Sequence, residues 1–148
     1  MTNLEFNPEG FIYSKVKGVF LRKFPEFEDY RGKLTVGEFP HDVPFEVKRF
    51  FLTYAIPSEE VRGEHAHRSC QQFIFCVAGK LTFTVDDGKN KEDFLLSDPT
   101  VGLYVPPMTW GVQSNYSNDA VQLVLASQWY NSEDYIRYYD NFLNLVQQ

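Results

Sequence analysis

The segment KLTFTVDDG, residues 80–88, has an apolar side chain at every second position and then a run of turn residues. Leu81, Phe83 and Val85 alternate with polar residues, as in a strand with one buried face, and an Asp-Asp-Gly turn follows. Six further apolar segments, bounded by Gly, Pro, Asp or Asn, are predicted as strands: 18–24, 32–39, 47–56, 73–79, 102–107 and 120–127. Short strands joined by turns, with no helix between them, predict an all-β antiparallel sandwich or jelly roll.

Two segments are predicted to form a central strand and a C-terminal helix. FIFCVAG, residues 73–79, is apolar on both faces and is therefore predicted to be a central strand. NSEDYIRYYDNFLNLV, residues 131–146, is the one good helical segment, because Asn131 or Ser132 can cap it and two acidic residues follow in its first turn. Its apolar stripe contains Tyr135, Ile136, Tyr139, Phe142, Leu143 and Val146. We expect this C-terminal α-helix to cover an open end or an edge of the sheets.

Length and charge restrict the possible functions. The 148 residues are predicted to form a single domain, and the net charge of −6 disfavours a nucleic-acid partner, since binding many phosphates needs a positive field. No stretch is long and apolar enough for a membrane span, and the polar start MTNLEFNPEG lacks the features of a signal peptide. We therefore expect a soluble, cytoplasmic protein with no membrane partner, in which Cys70 and Cys76 are reduced and packed like small hydrophobic residues.

The segment RGEHAHRSCQQF, residues 62–73, carries two of the three histidines of the chain. On a strand, His65 and His67 point to the same face, and two imidazoles on one face form half of a metal site. The alternative is a pair of hydrogen-bonded core or surface histidines. Burying these imidazoles beside Gln71 and Gln72 without a ligand would be costly, which favours a polar cavity.

The HxH pattern, followed by a glycine and a proline-rich turn, resembles the cupin superfamily. A cupin metal site adds a glutamate and a third histidine to the HxH pair, but these positions fall here on Gln72 and Gly111. An amide is a poor ligand and glycine offers none, so we expect no bound metal.

A narrower resemblance covers residues 29 to 143. The strings YRGKLTVGEFPHDVPFEVKRFF, RGEHAHRSCQQFIFCVAGKLTFTVDDG, VGLYVPPMTW and VQLVLASQWYNSEDYIRYYDNF resemble the cupin-type nucleotide-sugar 3,4-ketoisomerases. The resemblance implies a homodimeric cupin jelly roll with no cofactor and no metal. It also implies a dTDP-linked 4-keto-6-deoxyhexose as substrate, in the biosynthesis of unusual bacterial surface sugars such as those of O-antigens. A more remote resemblance is to the dTDP-sugar 3,5-epimerases.

The resemblance implies a proton transfer that fits the histidines. Moving a ketone from C4 to C3 requires removal of the C3 proton and reprotonation of an enediol at C4, and a neutral imidazole can accept and return a proton near neutral pH. We expect His65 to be the base and His67 to orient the substrate, shuttle a second proton or stabilise the enediolate. Neither the residues nor the resemblance ranks the two histidines securely.

Further residues are predicted to bind the substrate, because a net-acidic protein needs placed cations for a pyrophosphate. They are Arg31, Arg49, Arg62, Gln72 and Trp110. Of these, Trp110 could stack on thymine or line the sugar pocket. The alternatives are a solvated strand-end charge for each arginine and a core position for the tryptophan.

The chain also departs from the family pattern, which has histidine at Gly111 and tyrosines at Phe51 and Leu52; Tyr54 could replace only one of these. These departures leave open an altered sugar specificity or a nucleotide-sugar-binding cupin without turnover.

Overall fold

Two antiparallel sheets face each other in the computed structural model, which describes residues 4–148. The six-stranded sheet contains, in spatial order, β1 (Phe11–Tyr13), β2 (Phe20–Lys23), β10 (Val101–Val105), β7 (Gln72–Ala78), β12 (Val121–Ala126) and β5 (Arg49–Tyr54). The five-stranded sheet contains β13 (Tyr135–Ile136), β6 (Arg62–His67), β11 (Trp110–Ser114), β8 (Leu81–Asp86) and β9 (Lys91–Leu96). A separate hairpin consists of β3 (Glu26–Asp29) and β4 (Gly32–Thr35). The predicted all-β sandwich is confirmed.

The main core lies between the two sheets. Leu81, Phe83 and Val85 are buried while the threonines between them are partly exposed, so the predicted alternation is confirmed. They pack against side chains of the six-stranded sheet such as Ile74 and Leu103, which are fully buried. β7 lies between β10 and β12, as its apolar sequence predicts. This core fixes the inner faces of both sheets and therefore the positions of polar residues among them.

The predicted helix over residues 131–146 is wrong in its first half. A 3₁₀ turn (Ser132–Asp134), β13 and an α-helix α1 (Tyr139–Val146) replace it. Asn131 caps the turn by accepting a hydrogen bond from the backbone N–H of Glu133. The chain then becomes extended because Tyr135 and Ile136 pair with β6, a tertiary contact that overrides local helix propensity. α1 covers a face of the five-stranded sheet near this edge, rather than an open end.

The hairpin of β3 and β4 lies outside both sheets. Every residue of its two strands is exposed, including Phe27 and Leu34, which are paired across the hairpin. The strand predicted over residues 32–39 ends at Thr35. β3 escaped the sequence analysis because its sequence EFED, with charges around one phenylalanine, shows no buried face. None of the helices within residues 4–148 has the length and apolar composition needed to span a membrane.

Candidate functional site

β6 carries both histidines toward a pocket between the sheets. His65 is half-buried and His67 is buried, their ring centroids are 5.0 Å apart, and both line the pocket, so the same-face prediction is confirmed. The strand is irregular just before them, since Gly63 has a φ of 82° and the pairing with β11 shifts register after Gly111. A Cβ atom at Gly63 would lie 2.9 Å from the carbonyl oxygen of Gly111, so this position requires glycine.

One ring nitrogen of His65 forms a hydrogen bond within the protein, and the other can accept a proton. Its Nδ1 lies 3.0 Å from the carbonyl oxygen of Gly63, which can only accept a hydrogen bond, so Nδ1 carries the proton. The Nε2 lone pair is therefore available as a proton acceptor. Burial lowers the pKa of His65 and the charge of Arg137 lowers it further, against an opposing contribution from the bond to Gly63. His65 is thus neutral at neutral pH, as a general base must be.

His67 is held at both ring nitrogens. Its Nδ1 donates to Oδ2 of Asp134 at 3.0 Å, and its Nε2 lies 3.3 Å from the amide nitrogen of Gln72, which donates to it. Burial, with the positive charge that His65 gains in acid, lowers the pKa of His67 to about 4, although Asp134 opposes this shift. The contact with Asp134 is therefore a hydrogen bond from a neutral imidazole at neutral pH. Of the two histidines, only His65 has an unoccupied acceptor.

The pocket around the histidines is small and partly polar. Its other lining residues come from both sheets and from the turn between β10 and β11: Cys70, Gln72, Phe83, Val105, Pro106, Thr109, Gly111 and Gln113. Gly111 lies opposite His65 in the sheet, and a Cβ atom there would contact the ring of Phe83 at 3.1 Å. The two positions where a cupin would place further metal ligands therefore present an amide and a bare backbone.

A different group of side chains has ligand atoms close enough for a metal. Atoms of His67, Cys70 and Asp134 lie within 4.8 Å of one another. However, the oxygens of Asp134 accept hydrogen bonds from His67 and from the backbone N–H groups of Ser69 and Cys70. Both oxygens of Asp134 therefore already accept hydrogen bonds from protein donors, and the donor set does not match the cupin metal site.

The segment mistaken for helix supplies three residues that the sequence analysis missed. Asp134 binds His67, and the ring of Tyr135 lies 4.8 Å from that of His65 and 4.5 Å from that of His67. The guanidinium of Arg137 lies 4.4 Å from the centroid of the Tyr135 ring. A helix would have spread these side chains over different faces, whereas the turn and strand bring all three to the histidines. The string SEDYIR was the available signal, since it belongs to the motif on which the resemblance depends.

Arg49 is the predicted arginine that the chain itself places nearest the histidines. Its Nε donates to the carbonyl oxygen of Gln128, and its guanidinium lies 5.7 Å from the ring of Tyr130. Its charge contributes to the low pKa of His67. Arg49 and Arg137 therefore give the site a local positive charge within a net-acidic protein.

The other two predicted arginines lie outside the pocket of their own chain. Arg62 is exposed at the start of β6, and its charge opposes the rise in the pKa of buried Tyr116. Arg31 is exposed in the turn between β3 and β4, where it forms an ion pair with Asp29 at 2.6 Å. Neither lines the histidine pocket.

The structure places Trp110 away from the pocket. Alternation along β11 directs Gly111 and Gln113 into the pocket and the indole to the opposite face of the sheet. There its ring packs 5.2 Å from Tyr139 and 5.6 Å from Phe142 of α1. The predicted contact of Trp110 with the substrate is therefore corrected to a core position beneath the helix.

The two β5 residues that replace tyrosines of the family pattern, Phe51 and Leu52, lie on different faces of the strand. Phe51 points inward and packs against the main core, whereas Leu52 and Tyr54 are exposed on the outer face. Tyr54 therefore does not restore a hydroxyl to the interior of the sandwich.

The buried histidine predicts a loss of stability in acid. The unfolded chain binds a proton at His67 near pH 6.5 and the folded chain near pH 4, so stability is fully present above pH 6.5 and falls as the pH drops toward 4. We expect the free energy of unfolding to decrease by on the order of 2 kcal/mol between pH 7 and pH 5 through this group, measured by urea unfolding. His67→Asn should flatten this dependence, whereas His41→Asn, at an exposed histidine, should leave it unchanged. An equally steep dependence in His67→Asn would contradict the assignment.

Comparisons with known proteins agree with the geometry. Residues 17–147 match the protein family described as FdtA: WxcM-like, C-terminal. The chain is 40% identical over 123 residues to a TDP-4-oxo-6-deoxy-α-D-glucose-3,4-oxoisomerase of Aneurinibacillus thermoaerophilus, over 83% of this chain and 88% of that protein.

Two solved structures are also similar. A 3,4-ketoisomerase from Helicobacter canadensis matches with a TM-score of 0.85 and 34% identity, over 88% of this chain and 98% of its own. QdtA, a sugar 3,4-ketoisomerase from Thermoanaerobacterium thermosaccharolyticum in complex with TDP, matches with a TM-score of 0.87 and 32% identity, over 89% of this chain and 96% of its own.

Proposed function

The chain belongs to the family described as FdtA: WxcM-like, C-terminal, and from this premise we propose that it is a nucleotide-sugar 3,4-ketoisomerase. Its reaction moves the keto group of a dTDP-linked 4-keto-6-deoxyhexose between C4 and C3. The observation that carries the proposal is the neutral His65, whose free Nε2 is held in a pocket between two sheets. No cofactor is required, because the carbonyl of the substrate itself acidifies the neighbouring C–H bond.

His65 acts as the base in this proposal. Its Nε2 removes the proton from C3 while a solvent water protonates the C4 carbonyl oxygen, which gives an enediol. The protonated imidazole then delivers a proton to C4 while O3 returns a proton to solvent, so that the ketone ends at C3 and the number of protons balances. One imidazole can serve both carbon atoms, because the protonated Nε2 can deliver to C4 either the proton taken from C3 or a solvent proton that has exchanged with it. The rings of His67 and Tyr135 lie beside the base and hold it in place.

Cations at the pocket are proposed to bind the pyrophosphate of the substrate. The guanidinium of Arg137 lies over the ring of Tyr135, which lies beside His65, and the charge of Arg49 acts on His67. An arginine fork matches phosphate oxygens in bidentate fashion. Arg62, at the exposed start of β6, is proposed to extend this group, and Gln72 to meet a sugar hydroxyl.

The protein is proposed to work as a homodimer through an apolar groove on the outer face of the six-stranded sheet. We define the outer groove by these lining residues: Phe24, Val36, Phe39, Val43, Phe75, Val77, Leu123 and Leu125. Beside it, Phe50, Leu52 and Tyr54 are exposed on β5, and Phe27 and Leu34 on the hairpin. A contiguous apolar surface of this kind favours burial against a second copy. The apolar N-terminal segment over residues 11–24 pairs within its own sheet as β1 and β2.

In the proposed dimer, Arg31 of one subunit reaches the histidine pocket of the other. A two-stranded hairpin is marginally stable alone, and that of β3 and β4 has no partner strand within residues 4–148. β5 is the edge strand of its sheet, and its first residue, Arg49, lies near the histidines. A hairpin of the second copy added at this edge brings its Arg31 turn toward the pocket. We therefore propose that each site receives Arg31 from the other subunit.

The compartment proposed for this chemistry is the cytoplasm. Both cysteines are free and buried, which is typical of proteins in a reducing environment.

Incubation with dTDP-4-keto-6-deoxyglucose in deuterated water tests the proposed reaction. We expect a 3-keto product that carries deuterium at C4 whenever the proton on His65 exchanges with solvent before delivery. Nucleotide-sugar binding with no product and no exchange would favour a binding protein without turnover. Deuterium at C5, or inversion at C3 or C5, with the ketone still at C4 would indicate an epimerase. Nuclear magnetic resonance of the sugar ring distinguishes the three results.

A further inference from the structure

Asp134 is buried at the closed side of the site and is shared among several donors. Its Oδ2 accepts from Nδ1 of His67 at 3.0 Å and from the backbone N–H of Cys70 at 3.2 Å. Its Oδ1 accepts from the backbone N–H of Ser69 at 2.8 Å. Its own carbonyl oxygen accepts from the backbone N–H of Arg68, also at 2.8 Å. The carboxylate is 8% exposed, so it is too deep to serve as a solvated surface charge.

We propose that Asp134 is a positioning residue that fixes His67 in its Nδ1–H tautomer and, through His67, sets the orientation of the Gln72 amide. This inference rests on the proposed ketoisomerase function. Backbone N–H groups donate to both oxygens of Asp134, so the carboxylate acts as an acceptor and the Nδ1 that faces it carries the proton. The Nε2 of His67 is then an acceptor, and it selects the NH₂ end of the Gln72 amide as its partner.

The orientation of Gln72 matters because the amide lines the pocket. With its nitrogen bonded to His67, its oxygen remains as an acceptor for a substrate hydroxyl, and no donor within residues 4–148 is bonded to that oxygen. The opposite tautomer of His67 would present an N–H to Gln72, and the amide would turn to place its oxygen against the imidazole. The Gln72 amide would then present its NH₂ group, a donor, at the position where a substrate hydroxyl needs an acceptor. A site built with the wrong polarity leaves buried groups unpaired, which is penalised strongly.

Asp134→Asn tests this chain of hydrogen bonds with little change in shape. An asparagine can direct its NH₂ group at Nδ1, which favours the Nε2–H tautomer of His67. We expect imidazole ¹⁵N–¹H correlation spectra to show Nδ1–H for His67 in the wild type and Nε2–H in the variant. We expect kcat to fall by about 10²-fold or more, because a substrate hydroxyl then meets a donor at Gln72 and buried polar groups stay unpaired. The Kd for dTDP should stay within about twofold, since Asp134 lies behind His67 and outside the pocket lining.

Glu133→Gln is the matched control, because it removes a neighbouring negative charge that is exposed in the same turn. It should leave both the spectrum of His67 and kcat unchanged. A wild-type spectrum with His67 protonated at Nε2 would overturn the inference without any variant, so the test survives if Asp134→Asn fails to fold. An Asp134→Asn variant with unchanged kcat would also overturn it. The absence of ketone migration in the wild type would instead overturn the proposed function, independently of the tautomer.

Discussion

Replacing His65 with Asn is expected to lower kcat for ketone migration by about 10²- to 10⁴-fold, the usual contribution of a general base. Asparagine can still donate to the carbonyl oxygen of Gly63, so the local hydrogen bond that holds the side chain is retained. It has no lone pair basic enough to remove a proton from carbon. The Kd for dTDP should change little, since the proposed nucleotide-binding groups are cations rather than this imidazole.

Deuterium exchange sharpens the test of His65. The variant should lose exchange at C3 and C4 together with product formation, because both depend on the same Nε2 atom. His41→Asn, at an exposed histidine outside the pocket lining, is the control and should retain full activity. His65→Asn with wild-type turnover would remove it as the base and direct attention to His67.

The dependence of the wild-type reaction on pH follows from the same residue. The neutral imidazole is the active form, and burial holds the pKa of His65 below 6.5. The midpoint of the decline in kcat/KM on acidification should therefore lie below pH 6.5. A midpoint above pH 6.5 would contradict the environment described for His65.

The sequence was sufficient to predict what depends on alternation and spacing. The strand pattern of Leu81, Phe83 and Val85 identified the sandwich, and the HxH spacing placed both imidazoles on one face. The resemblance to the ketoisomerases added the reaction and its substrate. These features are local, so a single strand contains all the information that the prediction needs.

Other parts of the site depend on contacts that a local pattern does not record. Asp134 and Tyr135 follow good helix-capping residues, yet pairing with β6 holds Tyr135 in a strand. Trp110 and Gly111 are adjacent on β11 and therefore face opposite sides of the sheet. The packing of Trp110 against α1 decides that Gly111, and not the indole, faces the pocket. The proposal of His65 rather than His67 as the base depends on the partners of each ring nitrogen. These come from Gly63 in one case and from Asp134 and Gln72 in the other.

Mixing two inactive variants should restore activity if Arg31 acts across the dimer. Arg31→Ala is expected to lower kcat/KM by about 10- to 100-fold, the effect of losing a hydrogen bond to a charged group. It leaves His65 intact, and His65→Asn leaves Arg31 intact. In a heterodimer, one site combines the native His65 of the first chain with the native Arg31 of the second. The other site lacks both residues.

Statistical exchange of equal amounts of the two variants places half of the dimers in this mixed form, each with one complete site. The mixture should therefore reach about a quarter of wild-type activity, far above either variant alone. Leu34→Asp, which places a charge on the apolar side of the hairpin, should shift the protein toward the monomer and abolish this recovery. Light scattering coupled to size exclusion measures the first effect and the isomerase assay the second. A mixture no more active than the average of its components would show that Arg31 serves its own chain or does not contact the substrate. A monomeric wild type with full activity would exclude the shared site altogether.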